Sequence, residues 1–140
     1  MSTDYWVIQG VGIDTDDIVF SNEKLKQMIM ERPPYNKALA KKLHRGEFDI
    51  DDYLYGSYFE NIADLLTFCD DTDTLTYGAD GDKSYFYYPP LMPWELSRND
   101  PSDIEGVYEN IINAVQKVSD MTADEIKALI RDDLYVVSCG

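Results

Sequence analysis

His44 is the only histidine in the 140-residue chain. A nucleophilic site of the Ser-His-Asp or Cys-His kind would therefore have one base to draw on. It stands with Lys41, Lys42 and Arg45 at the end of an expected helix. A cation there complements the helix dipole, which accounts for the residue without catalysis. Cys69 and Cys139 lie 70 positions apart, and no second histidine completes a zinc set. A reactive thiolate needs an electropositive setting, whereas Cys69 adjoins Asp70 and Asp71. Both cysteines read as small hydrophobes.

The aspartates suggest calcium, but the loop geometry fails. An EF-hand needs oxygen ligands at positions 1, 3 and 5 and glycine at 6. Counting from Asp71 puts Leu75 and Thr76 at positions 5 and 6, and counting from Asp80 puts Tyr85 at position 6. Gly10-Val11-Gly12 follows strand-like residues, yet Thr15 stands where the dinucleotide fingerprint needs its third glycine. No phosphate-binding lysine loop is present. No cofactor and no metal are therefore expected. Acid–base chemistry by a carboxylate pair stays open in a chain with 27 acids, though no pair is singled out. A small carboxylate- or metal-dependent hydrolase is the weakest of the functional readings.

What the sequence does single out is charge. Twelve bases against 27 acids give a net charge of −15, which argues against binding nucleic acid or anionic lipid directly. Residues 1–20 hold four acids and no base. Residues 21–46 hold seven bases and two acids, and residues 47–82 hold eleven acids and no Lys or Arg. Within that last stretch Asp52, Glu60, Asp64, Asp70, Asp71 and Asp73 fall off the expected apolar stripe or in the loop beyond it. Glu60 and Asp64 read as an i,i+4 pair of like charge, which opposes a helix. Seven of the eleven tyrosines lie between 53 and 88, and tyrosine suits interfaces as well as cores. Carboxylates spaced on a rigid support can imitate a phosphate ladder. These six acids are therefore the candidate partner-binding residues, and the partner would be a basic, nucleic-acid-binding protein. The plainer account is that the acids keep the protein soluble.

The elements that must carry these residues follow from patterning. Residues 5–13 read as a strand, with Gly10 and Gly12 marking a bulge or a close backbone approach. Ser21 or Asn22 caps a helix to about Met30. Pro34 opens a second helix that Gly46 ends, and Asp49 caps a longer one to about Phe68. Residues 74–79 and 83–88 read as a hairpin around Asp80-Gly81, a type I′ signal. Residues 89–96 form a proline-rich strap plugged by Trp94. Capping boxes at Ser102/Glu105 and Thr122/Glu125 start two further helices, the latter with Met121 and Ile126 as a hydrophobic staple. Leu134 to Ser138 is a final strand. The expectation is one α+β domain over residues 1–140. A small, mostly antiparallel sheet (N-terminal strand, central hairpin, C-terminal strand) packs with about five helices. No apolar run reaches membrane-spanning length and no secretory signal opens the chain, so a cytoplasmic protein is expected.

Four stretches taken together carry a resemblance: Trp6 to Ile13, Asp64 to Tyr77, Tyr87 to Trp94 and Leu134 to Gly140. They resemble small acidic proteins of unknown function encoded in bacteriophages and mobile elements of gut bacteria. That resemblance implies a bacterial host cell as the setting and supplies no catalytic residue. Small acidic phage proteins include inhibitors of host nucleases, anti-CRISPR proteins among them. The leading expectation is thus a non-enzymatic, DNA-mimicking inhibitor of a host nucleic-acid enzyme. The alternative is an accessory or structural phage protein that self-associates, with the basic stretch 21–46 of one copy meeting the acidic stretch 47–82 of another.

Overall fold

The computed structural model describes residues 5–31, 45, 61–89 and 104–139. Strand β1 (Tyr5–Asp14) is followed by a 3₁₀ turn (Thr15–Asp17) and helix α1 (Asn22–Glu31). Then come helix α2 (Ile62–Cys69), the hairpin β2 (Thr76–Asp80) and β3 (Lys83–Tyr88), helices α3 (Ile104–Gln116) and α4 (Ala123–Leu129), and strand β4 (Arg131–Cys139). The strands form one antiparallel sheet in the order β2-β3-β1-β4. The α+β class and the assembly of the sheet from an N-terminal strand, a hairpin and a C-terminal strand match the expectation. The described residues contain four α-helices, not five. The helix expected over residues 34–46 lies outside them apart from Arg45, as do His44, Asp52, Glu60 and Trp94.

Both faces of the sheet bury apolar side chains, and strand alternation sorts them. Ile13 and Phe86 point to the helical side. There they join Leu25, Leu65, Leu66, Val107, Ile111, Val115 and Ile126 in the main core. Ile8, Tyr85, Tyr87 and Leu134 form a second cluster on the opposite face. The bulky Tyr87 is accommodated by glycine. A Cβ on Gly12 would sit 2.4 Å from the Tyr87 Cβ and 2.6 Å from the Phe86 carbonyl oxygen. The register shift between Gly10 and Gly12 places the expected irregularity in β1 against β4.

Local chemistry sets the helix ends. The Ser21 hydroxyl accepts the Lys24 amide at 3.3 Å and so caps α1. Thr122 and Glu125 make the reciprocal capping box of α4, a device worth about 1 kcal/mol. Asn61 caps α2 with extended dihedrals, its side chain accepting the Asp64 amide at 2.9 Å. This corrects the single helix expected from Asp49 to Phe68, because Asn61, inside that span, is extended and opens a helix of its own. The hairpin is also displaced by one position. Asp80 pairs with Lys83, so Gly81 and Asp82 form the turn. Only Gly81 (φ +62°) of the two has positive φ, which fits type II′ and not type I′.

Candidate acidic interface

The α2 ridge carries four of the six expected interface acids, and each has a different role. Asp64 occupies the first turn of α2, where a carboxylate complements the helix dipole. The i,i+4 pairing expected between Glu60 and Asp64 falls partly outside the described residues.

Asp70 organises the loop that follows. One carboxylate oxygen accepts from the Thr72 amide (3.0 Å) and hydroxyl (2.5 Å). The other accepts from the amides of Thr74 and Leu75, both at 3.0 Å. Thr72 and Thr74 share a hydroxyl bond of 2.8 Å, and Asn110 of α3 reaches Thr74 at 3.4 Å. Asp71 is exposed and meets the Lys117 ammonium at 2.5 Å, while the same ammonium donates to the Cys69 carbonyl at 2.7 Å. Lys117 therefore ties α3 to the C-terminus of α2. Asp73 is exposed and adopts a left-handed backbone, φ +56°. Asp52 and Glu60 lie outside the described residues. Cys69, as expected, is buried, with its thiol 3.5 Å from the Met28 sulfur.

A second group of acids, scattered in sequence, gathers at one end of the sheet. Asp14 is buried at the end of β1, accepts the Asp16 amide at 2.9 Å and pairs with Lys83 at 3.5 Å. Beside it the Thr15 and Ser84 hydroxyls bond at 2.7 Å. Asp17 meets Arg131 at 3.7 Å. The hairpin tip brings Asp80 and Asp82 to the same end, because β3 begins at Lys83. Reading charge by sequence segment missed this cluster. The signal that could have found it was the combination of the first strand with the hairpin, both of which were legible.

Five of the bases are committed to the architecture. Lys24 donates to the Gln116 (2.9 Å) and Ser119 (2.7 Å) carbonyls at the end of α3 and pairs with Asp120 at 3.2 Å. None of these contacts is with residues 61–82. Lys127 pairs with Glu105 at 3.3 Å and sits 5.5 Å from the centre of the Tyr108 ring. Tyr108 donates to Asp132, and this bond chiefly pushes its pKa up to about 12. An open groove of about 370 Å³ runs here between α3 and α4, lined in part by Tyr108, Ile112, Ala123 and Lys127. Exposed Asp73, Asp82, Glu109, Asp124 and Asp133 make no ion pair among the described residues. Among those residues, no three of His, Cys, Asp or Glu stand together to hold a metal, and no helix is long and apolar enough to cross a membrane. No protein-family model, curated protein or solved structure matches the chain.

Proposed function

We propose that the protein acts without catalysis, in the cytoplasm of a bacterial host, by presenting its carboxylates to a Lys/Arg-lined groove of a nucleic-acid enzyme. In this reading it is a phage-type inhibitor, anti-CRISPR-like in its logic, that occupies the place of a phosphate backbone. The observation that carries the reading is the division of labour among charges. Lys24, Lys83, Lys117, Lys127 and Arg131 each meet a carboxylate of the fold, whereas exposed Asp73 and Asp82 have no cationic partner among the described residues. A field of this kind steers a basic partner and opposes an acidic one. Asp70 and Asp71 hold the loop that presents Asp73, and Asp64 stands on the helix before it. Asp52 and Glu60 complete the proposed set.

The test is competition. A panel of purified bacterial nucleases with basic grooves is loaded with fluorescent DNA, and the protein is titrated in at rising salt. The expected outcome is DNA displacement from one panel member that weakens steeply with salt, as phosphate contacts do. Asp73→Lys combined with Asp82→Lys weakens it by about tenfold or more. Displacement that ignores salt, or capture of an enzyme that keeps its DNA, overturns the reading.

A further inference from the structure

The end of the sheet away from the acids has the opposite character. On β1 and β4, Val7 lies opposite Val137 and Gln9 opposite Tyr135. Alternation puts all four on the helical side of the sheet, yet all four are exposed beside the described helices. Val7, Tyr135 and Val137 are 47%, 60% and 50% exposed. β4 is an edge strand, paired among the described residues only with β1. Natural edges are normally guarded by charge, proline or a bulge. β4 has such guards only in its first half, where Arg131, Asp132 and Asp133 coincide with the register irregularity. Residues 134–139, Leu-Tyr-Val-Val-Ser-Cys, have no charge and no proline.

We propose that this edge pairs with the same edge of a second copy, antiparallel about a two-fold axis at Val136. A two-fold axis perpendicular to a sheet keeps each face continuous, so opposed residues must share parity. With the axis at Val136, Tyr135 of one copy faces Val137 of the other, and the reverse. This aromatic–β-branched pairing is a favourable cross-strand combination. Charge permits a second copy placed in this way. Each Asp133 falls opposite an uncharged Cys139, and the two Asp133 residues stand about 20 Å apart along the strands, beyond the screening length of about 8 Å at physiological salt. The charged guards oppose an in-register parallel pairing and a register centred on residues 131–133, and leave this one open. The interface is separate from the acidic stretch and does not depend on the function proposed above.

The salt dependence distinguishes the two contacts. Two chains of net charge −15 repel, so a dimer held by backbone pairing and apolar contact tightens as salt rises. An acid-to-base contact loosens. Sedimentation velocity between about 10 µM and about 1 mM protein, at about 0.1 M and about 1 M NaCl, should show a dimer favoured by dilution-resistant mass at high salt. Val137→Lys and Tyr135→Lys, both on the exposed face, should each raise the dissociation constant by about tenfold or more. Their melting curves should stay close to the parent's, and Val19→Lys, at an exposed site off the strand, should change nothing. As a second measurement, Val136→Cys in a Cys139→Ser background should oxidise to a covalent dimer. Residues opposed on the axis have Cα atoms about 4.5–5.5 Å apart, within disulfide reach. Val19→Cys in that background should not oxidise to a dimer. A monomer at every salt and concentration, a dimer indifferent to the β4 variants, or one that weakens with salt overturns the proposal.

Discussion

Replacing Asp70 by alanine should unfold the loop that presents the acids, whereas replacing Asp73 should leave the fold intact. Asp70 receives four hydrogen bonds from residues 72–75. Thr72 is partly exposed, so its amide and hydroxyl can turn to water. Thr74 and Leu75 are 6% and 5% exposed, so their amides would be left buried without a partner. Each such donor costs about 1–3 kcal/mol, which gives about 2–6 kcal/mol for Asp70→Ala. In a chain of this length that lowers Tm by roughly 6–18 °C. Asp70→Asn should fall between, since one amide oxygen still accepts. Asp73→Gly relieves a left-handed residue but adds freedom to the unfolded chain, so its change should stay within about 0.5 kcal/mol. Urea unfolding followed by circular dichroism measures all three. If Asp70→Ala loses under about 0.5 kcal/mol, the carboxylate does not hold the loop and the division between supporting and presenting acids fails.

Three other outcomes follow from the contacts of Gly12, Lys24 and Tyr108. Gly12→Ala forces a Cβ to within 2.6 Å of a backbone oxygen and should cost about 2 kcal/mol or more. Gly81→Asn, with nothing within 4 Å and a φ that asparagine tolerates, should cost under about 1 kcal/mol; equal losses in urea titration would contradict this account of the glycines. Lys24→Met removes two carbonyl bonds at the end of α3 and should cost about 1–2 kcal/mol, while Asp120→Asn, at an acid 78% exposed, should cost almost nothing; thermal melts compare them. The Tyr108 pKa is raised from 10.0 to about 12 in the folded chain. The stabilising effect of its Asp132 bond is therefore complete below pH 10 and fades as pH climbs through about 12. Phenolate absorbance of the parent minus that of Tyr108→Phe should show the late titration, and Asp132→Asn should bring it back toward 10.

Patterns that depend on near neighbours were the legible ones. The Thr122/Glu125 box, the Ser21 cap, the strand over residues 5–13 and the burial of Cys69 each follow from a few adjacent residues, and each is present. The long helix to Phe68 failed for a local reason that periodicity hides. Ile62, Leu65 and Leu66 continue the stripe of Leu54 and Tyr58, but the Asn61 side chain accepts the Asp64 amide, and that bond starts a helix at Ile62. The shift in the hairpin is of the same kind, since Asp80-Gly81 and Gly81-Asp82 both suit tight turns and cross-strand register decides between them. The candidate site was legible only as a quantity of charge. Whether an aspartate faces a partner or anchors a loop depends on contacts such as Asp70 with Leu75 and Asp71 with Lys117. The second of these spans 46 positions, and composition along the chain does not encode it.

The two proposed contacts are compatible because the fold keeps their chemistries at opposite ends of one strand. Along β1, Val7 lies in the apolar end and Asp14 in the acidic end, about 24 Å apart at strand rise. Pairing about Val136 places the apolar ends together at the centre and sends the acidic ends outward. The two Arg131 positions, each beside its own Asp17, are then separated by about 34 Å along the joined strands. Doubling the molecule therefore does not oppose its own charge at close range. It repeats the acidic end at a fixed distance, leaving both copies of Asp82 at hairpin tips clear of the seam. If both proposals hold, the salt that weakens the contact with a basic partner strengthens the contact between copies, so the two are told apart by ionic strength alone.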